Sequence, residues 1–308
     1  MKPRRNWLWL VSLTIILLSP GAYWILAEPD APFTILLSND DGYDSPGLYA
    51  VAEALAPVAH VVVAAPATEQ SGSGNGITYR EPIFFRHIEL FAGVSGYAIQ
   101  ARPATCVRVG VESLLESKPD LVISGINRGA NLGIVTFYSG TVGAARQAAL
   151  LGIPAIAVSM QGDDPDDFAT AASFTRELVH QLRVQRVLRP GLLLNVNVPA
   201  GKPRGVRVVR LSTAPDRENY ERRTSPRGQD YFWSRWTPPA DQDENTDVGA
   251  FAQGFITITP LLIDQTDVRE LDSLRRLELG ELTSMLKDAP TGKDFEASSS
   301  QRGATTPQ

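Results

Sequence analysis

From Thr34 onward, short apolar runs alternate with stretches whose apolar residues recur every three or four positions. Thr34 to Ser38 (TILLS) predicts a buried parallel strand. Leu48, Val51, Ala52 and Leu55 form one helical face, with Pro46 in the first turn and Ser45 as N-cap. Val61 to Ala65 predicts a second strand, followed by a Gly/Ser-rich loop from Pro66 to Thr78. Val107, Gly110, Val111 and Leu114 mark a second helix, and Asp120 to Ser124 a third strand. A glycine-rich loop from Gly125 to Gly140 leads into an alanine-rich helix, Thr141 to Leu151. A strand at Pro154 to Ser159, a helix from about Phe168 to Val184 and a strand at Leu192 to Val198 continue the alternation. Strands alternating with helices predict an α/β fold, a mostly parallel sheet with right-handed crossovers.

Beyond Gly205 the pattern changes. Val206 to Leu211, Gln229 to Trp236 and Gly254 to Thr259 read as strands with no helices between them, and residues 212–253 are polar. This segment, 205–263, reads as a β-rich arm appended to a core at 28–204 and suited to contacts between subunits. Asp267 to Leu286 predicts a last amphipathic helix, within a segment bounded at 264–288. The Ser-, Thr-, Gly-, Pro- and Gln-rich residues 289–308 read as a disordered tail. At the other end, Lys2, Arg4 and Arg5 precede an uncharged, largely apolar stretch from Trp7 to Ala27. Residues 1–27 read as a secretory signal cleaved after Ala27, or as an uncleaved membrane anchor. Both readings place the catalytic part outside the cytoplasm, in the periplasm or secreted.

Composition narrows the chemistry. The chain has 308 residues, 43% hydrophobic and 20% charged, with a formal net charge of −5. No Lys/Arg run suggests a nucleic-acid groove, so a stable nucleic-acid complex is not expected. One cysteine, Cys106, excludes an intrachain disulfide and reads as a small core residue. There is no G-x-S-x-G elbow and no H-E-x-x-H, and His60, His87 and His180 fall outside the loops of interest. The acidic cluster Asp163, Asp164, Asp166 and Asp167 is explained by the N-terminal dipole of the helix it precedes.

In an open parallel sheet, ligands bind outside the carboxyl ends of the strands. Loops expected at that edge carry Asn39-Asp40-Asp41-Gly42, Gln70-Ser71-Gly72, Asn127 within Gly125 to Asn131, and Ser139-Gly140-Thr141. Alone, Asn-Asp-Asp-Gly reads as a turn. Adjacent carboxylates repel unless a cation neutralises them, and hard oxygen donors suit Mg²⁺ or Mn²⁺, with Ca²⁺ meeting the same donor preference. Ser71 and Asn127 can add a hydroxyl and a carbonyl oxygen. Ser139-Gly140-Thr141 at a helix start either presents N–H groups and hydroxyls to an anion or simply caps the helix.

These motifs resemble the survival protein E (SurE) family of metal-dependent 5′/3′-nucleotidases. The resemblance runs over roughly residues 33 to 263. It is most specific in Gly-Ile-Asn-Arg-Gly-Ala-Asn-Leu-Gly (125–133) and Tyr-Ser-Gly-Thr-Val-Gly-Ala-Ala (138–145), with Asn195 to Pro199 and Thr257 to Leu261 as later signatures. It implies a Rossmann-like, doubly wound core and a homodimer or homotetramer built through the C-terminal arm. It implies one divalent metal held by Asp40, Asp41, Ser71 and Asn127, with phosphate contacts from Asn39, Ser139, Gly140 and Thr141. Three positions depart from the family pattern: Ala67-Thr68 where Asp-Arg is frequent, Arg102 where Thr is usual, and Ile134 to Phe137 in place of a commonly acidic segment. They spare the metal ligands and bear on substrate preference. An export segment is itself unusual in a family best known from the cytoplasm.

The chemistry expected is hydrolysis of a nucleoside 5′- or 3′-monophosphate, with a bound metal activating water. Asp40 and Asp41 are the candidate catalytic residues, Asp40 as general base or nucleophile, with the division of roles between them open, and Ser139 to Thr141 stabilise charge on the phosphoryl oxygens. The rival readings are a broad acid phosphatase or exopolyphosphatase, and a non-catalytic extracytoplasmic protein that binds nucleotide or metal.

Overall fold

The computed structural model describes residues 32–162 and 164–277. The first strand, β1 (Thr34–Ser38), is buried on both faces. Ile35 and Leu37 pack with α1 (Pro46–Leu55) and α4 (Pro165–Val184), while Leu36 packs on the opposite side with α2 (Pro103–Val109) and α3 (Gly140–Leu150). An unbroken apolar run is what a strand covered by helices on both sides requires. Each such fully buried aliphatic side chain contributes about 1.5–3 kcal/mol.

The remaining strands are β2 (His60–Pro66), β3 (Phe85–Phe91), β4 (Val94–Ile99), β5 (Leu121–Arg128), β6 (Ala155–Met160), β7 (Leu193–Val198), β8 (Val206–Val208), β9 (Arg217–Thr224), β10 (Asp230–Thr237) and β11 (Ile256–Pro260). Among the described residues, nine of the eleven strands form one sheet in the order β3-β4-β2-β1-β5-β6-β7-β11-β8. Pairing is parallel from β4 through β7, and antiparallel for β3 on β4 and β11 on β7. The chain leaves β1 for β2 on one side and later returns to β5 on the other. The crevice between β1 and β5 is therefore the topological switch point, where a doubly wound sheet binds its ligand.

Several elements differ from the sequence expectation. The hairpin β3–β4 was not anticipated, because its charged, largely exposed outer strand (FRHIELF) keeps only Ile88 and Leu90 inside. Gly125 to Arg128, expected as loop, continues β5, with an irregular register against β6 between Ser124 and Asn127. A short helix, α5 (Asp247–Ala252), lies where only strands were expected. The predicted β arm divides: β8 and β11 complete the main sheet, and only the hairpin β9–β10 stands as a separate two-stranded sheet. Ser45 precedes α1, but its side chain makes no capping bond.

A second unit begins at Asp264. Its described part holds α6 (Val268–Arg275), capped by Asp267, which accepts from the Arg269 amide. The rest of the expected C-terminal helix, the tail and the segment 1–27 lie outside the described residues. Among the described residues no helix is long and apolar enough to cross a membrane.

Candidate active site

Asp40 and Asp41 leave the end of β1 at the switch point. Asp40 is 3% exposed and Asp41 half-buried. The other three loops are each tied to this pair by a hydrogen bond. The Gln70 amide donates to the Asp40 carbonyl at 2.7 Å, anchoring the loop after β2. The Arg128 amide at the end of β5 donates to Asp41 Oδ2 at 3.3 Å. From the first turn of α3, the Thr141 hydroxyl donates to Asp40 Oδ1. The loop after β2 also docks on α3, where Gly74 N–H donates to the Tyr138 carbonyl at 2.9 Å. A Cβ at Gly143 would collide with the Gly74 carbonyl, so this approach needs glycine.

Gly140 is required for a similar reason. A Cβ there would lie 2.6 Å from Ser73 Oγ and 2.8 Å from Asp40 Oδ2. The start of α3 is therefore pressed against the Asp40 carboxylate. Burial pushes the Asp40 carboxyl above its ordinary range, opposed by the Thr141 hydroxyl and by the Thr141 and Gly140 amides. The anion at this helix N-terminus is Asp40 itself. Asp41 is pushed up to about 6, first by burial and then by the Asp40 charge; the Arg128 amide opposes the rise and Glu69 adds to it.

The residues expected to touch phosphate therefore have unequal freedom. Thr141 is fully buried and its hydroxyl donates to Asp40. The Gly140 amide likewise acts on Asp40. Ser139 Oγ accepts from the Val142 amide at 3.1 Å as the N-cap of α3, which leaves its own proton free to donate. Asn39 spends both N–H groups, on the Gly42 carbonyl and on Ser45 Oγ, each at 2.7 Å. The Gly42 carbonyl can only accept, which fixes the orientation of the amide. The atom left over, Oδ1, is a buried acceptor without a partner, so Asn39 has no N–H left for a phosphate oxygen.

Two observations test the site against a metal ion. The candidate donors are all hard oxygens, and acceptor capacity is left over around them. Asn39 Oδ1 and Ser73 Oγ are buried and unpartnered, and Ser73 Oγ lies near Asp40, whose charge raises the Asp41 carboxyl. Asn127 donates its Nδ2 to the Gly129 carbonyl at 2.7 Å, and no described residue donates to its Oδ1. Ser71 donates to Glu69 at 3.0 Å and keeps its oxygen lone pairs. Among the described residues no group of three or more His, Cys, Asp or Glu is arranged to hold a metal. A metal held here by Asp40, Asp41, Ser71 and Asn127 would take a mixed set of two carboxylates, one hydroxyl and one amide oxygen, a donor set of the kind hard divalent cations prefer. The residues present fit such an ion.

Sequence reasoning missed Glu69 and Ser73. Glu69 lies in a polar loop with no periodic signal, and only the fold brings it near Asp41 and Ser71. Ser73 was one small residue among many in a Gly/Ser run. The Asn127 segment is held from below by a buried network. Asn131 N–H donates to Asn197 Oδ1 at 2.7 Å, Asn131 Nδ2 to Ser159 Oγ at 2.8 Å, and Asn195 Nδ2 to the Asn131 carbonyl at 2.8 Å.

Comparison with known proteins bears on this geometry. The family model described as survival protein SurE matches residues 35–220. A protein from Desulfitobacterium hafniense named 5′-nucleotidase SurE is 42% identical over 246 residues, 79% of this chain and 96% of that protein. One from Thermus thermophilus named 5′-nucleotidase SurE 1 is also 42% identical, over 79% of this chain and 97% of its own length. The crystal structure of the SurE protein from Aquifex aeolicus superimposes with a TM-score of 0.68 at 35% identity, covering 80% of this chain and 99% of that one. With its acidic pair at the switch point and near full-length similarity to these relatives, this chain belongs to the survival protein SurE family.

Proposed function

We propose that this protein is a divalent-metal-dependent phosphomonoesterase that hydrolyses nucleoside 5′-monophosphates, and 3′-monophosphates with them, to nucleoside and phosphate. The observation that carries this reading is the set of hydrogen bonds tying three separate loops to Asp40 and Asp41. The names of the curated relatives, 5′-nucleotidases, point the same way. Asp40, Asp41, Ser71 and Asn127 would hold Mg²⁺ or Mn²⁺, which supplies Lewis-acid polarisation of phosphate and a more acidic water.

The protein's own residues do the rest. Thr141 fixes the Asp40 carboxylate in one orientation, so Asp40 either accepts a proton from the water that displaces the nucleoside oxygen, or itself attacks phosphorus as the P–O bond to the nucleoside breaks, water then hydrolysing the aspartyl phosphate. Ser139 directs its free proton to a phosphoryl oxygen. Asn39 shapes the loop after β1 and offers an acceptor to a water in the site. The test is phosphate release from a panel of nucleoside monophosphates with Mg²⁺, Mn²⁺ or EDTA, beside Asp41→Ala. Activity should require metal and fall sharply in the variant; full activity in EDTA would sink the mechanism. Rapid quench with labelled substrate separates the two roles of Asp40, because only nucleophilic attack leaves labelled phosphoenzyme.

We also propose that the chain acts outside the cytoplasm, on the strength of the Lys2 to Ala27 pattern; cell fractionation checks this. A homodimer or homotetramer through β9–β10 is supported by that hairpin's exposed aromatics. Phe232 is 66% and Trp233 57% exposed, more apolar surface than a hairpin in water normally leaves open. Light scattering on the protein with and without residues 217–237 tests it.

A further inference from the structure

Arg102 immediately precedes α2 and stands on the wall between two clefts. The first, of about 500 Å³, is lined by Glu69 to Ser73 and by Arg102. Its lining adjoins the acidic pair, since the Gln70 amide donates to the Asp40 carbonyl and Ser73 Oγ lies near Asp40 across Gly140. The second, of about 540 Å³, is lined by Thr78, Glu81, Phe84 and Gln100 among others, and shares Gln70 and Arg102 with the first. A ligand whose phosphate sits at the acidic pair and whose organic portion follows these clefts would pass Arg102.

The Arg102 backbone is pinned, its amide donating to Thr78 Oγ1 at 2.9 Å. Its guanidinium lies over Gly76 and has no ion pair or hydrogen bond among the described residues. Glu69 and Glu81 line the same two clefts and neither pairs with it. An unpaired, always-charged fork on an exposed wall shared by the two clefts is suited to bidentate capture of an anion. Under the nucleotidase reading the scissile phosphate is served by the metal and by the Ser139 hydroxyl, which leaves the Arg102 guanidinium for a further anionic group of the ligand.

Resting on the nucleotidase reading, we propose that Arg102 is a specificity-determining residue that selects nucleotides carrying a second phosphate group. The second phosphate sits either on the ribose or in the phosphate chain, and the shared chemistry is a phosphate about one sugar or one phosphate away from the first.

The experiment measures binding by calorimetry in EDTA, where no turnover occurs, with adenosine 5′-monophosphate, adenosine 3′,5′-bisphosphate and adenosine 5′-diphosphate. The wild-type protein should bind one of the two doubly phosphorylated ligands about ten-fold more tightly than the monophosphate. Arg102→Gln should abolish that ratio and Arg102→Lys should restore part of it. The ligand that shows the ratio identifies where the second phosphate sits. Equal affinities in the wild type, or a preference that survives Arg102→Gln, overturn the proposal. A guanidinium that merely stacks on the base would weaken all three ligands alike and leave the ratio unchanged, which also overturns it. Absence of phosphate release from any monophosphate with metal would defeat the nucleotidase reading instead, and is read in a separate assay.

Discussion

Two buried aspartates near helix starts, Asp40 before α3 and Asp247 in α5, have the same residue type, the same depth and the same direction of pKa shift. Asp40 is 3% exposed and Asp247 fully buried, and burial raises both carboxyls. Their surroundings differ in what is left unsatisfied. Asp247 accepts three backbone amides, from Gly133 and Ser212 at 2.8 Å and Val248 at 2.9 Å. No charged neighbour figures among the causes of its shift, and its job is to staple the glycine-rich loop to the segment after β8. Asp40 faces a second carboxylate, an unpartnered amide oxygen on Asn39 and an unpartnered hydroxyl on Ser73. Burial and a raised pKa thus do not by themselves mark a functional aspartate. The nature of the neighbours does: backbone amides surround Asp247, whereas Asp40 stands beside a second carboxylate whose repulsion a cation would relieve.

That contrast predicts opposite outcomes for two substitutions. Asp40→Asn should lower kcat on the order of 10³-fold or more, as removal of a catalytic carboxylate does. It should leave thermal stability in EDTA unchanged or raised, because a repulsive pair has been discharged. A large fall in Tm with activity retained in the folded fraction would erase the distinction. Asp247→Ala should do the reverse, destabilising by about 3 kcal/mol in urea unfolding as three buried amides lose their acceptor. The kcat of the folded fraction should stay within a few-fold of the parent.

pH sharpens the comparison. Asp41 has a folded, metal-free pKa of about 6 against an ordinary 3.8. Between those values the folded state holds more proton than the unfolded state, so this group's contribution to stability falls as pH rises from about 4 to 6. Calorimetric Tm in EDTA should show that fall, and added Mg²⁺ should offset it above pH 6. Metal must displace the same proton, so its apparent affinity should weaken up to about ten-fold per pH unit below 6. Metal affinity that is flat from pH 5 to 7 would remove Asp41 from the ligand set. The smallest effect is expected from Thr141→Val, which deletes the hydroxyl holding Asp40 while conserving shape. A loss of about ten-fold in kcat with little change in KM is expected, measured by steady-state kinetics.

The alternation of buried strands and amphipathic helices was legible because each element writes its own periodicity locally. β1, α1, β5 and α4 were found within a few residues of their observed bounds. β3 and β9 were not, and the reason is common to both. FRHIELF and RENYERRT are largely exposed, so they carry little or none of the apolar pattern that strand detection relies on. At the site, the residue types were legible and their division of labour was not. Asn39, Ser139, Gly140 and Thr141 read alike as phosphate contacts, yet only Ser139 keeps a side-chain donor free.

The sequence by itself determined that a mostly parallel sheet would carry an acidic pair and oxygen donors to one edge, since strand order and loop position follow from local pattern and chain handedness. Only the tertiary structure decided which of those groups are already spent. Thr141 reaches Asp40 across 101 residues, and Asp247 reaches Gly133 across 114. Hydrogen-bond capacity is consumed by neighbours in space, and no local pattern records neighbours so far apart along the chain.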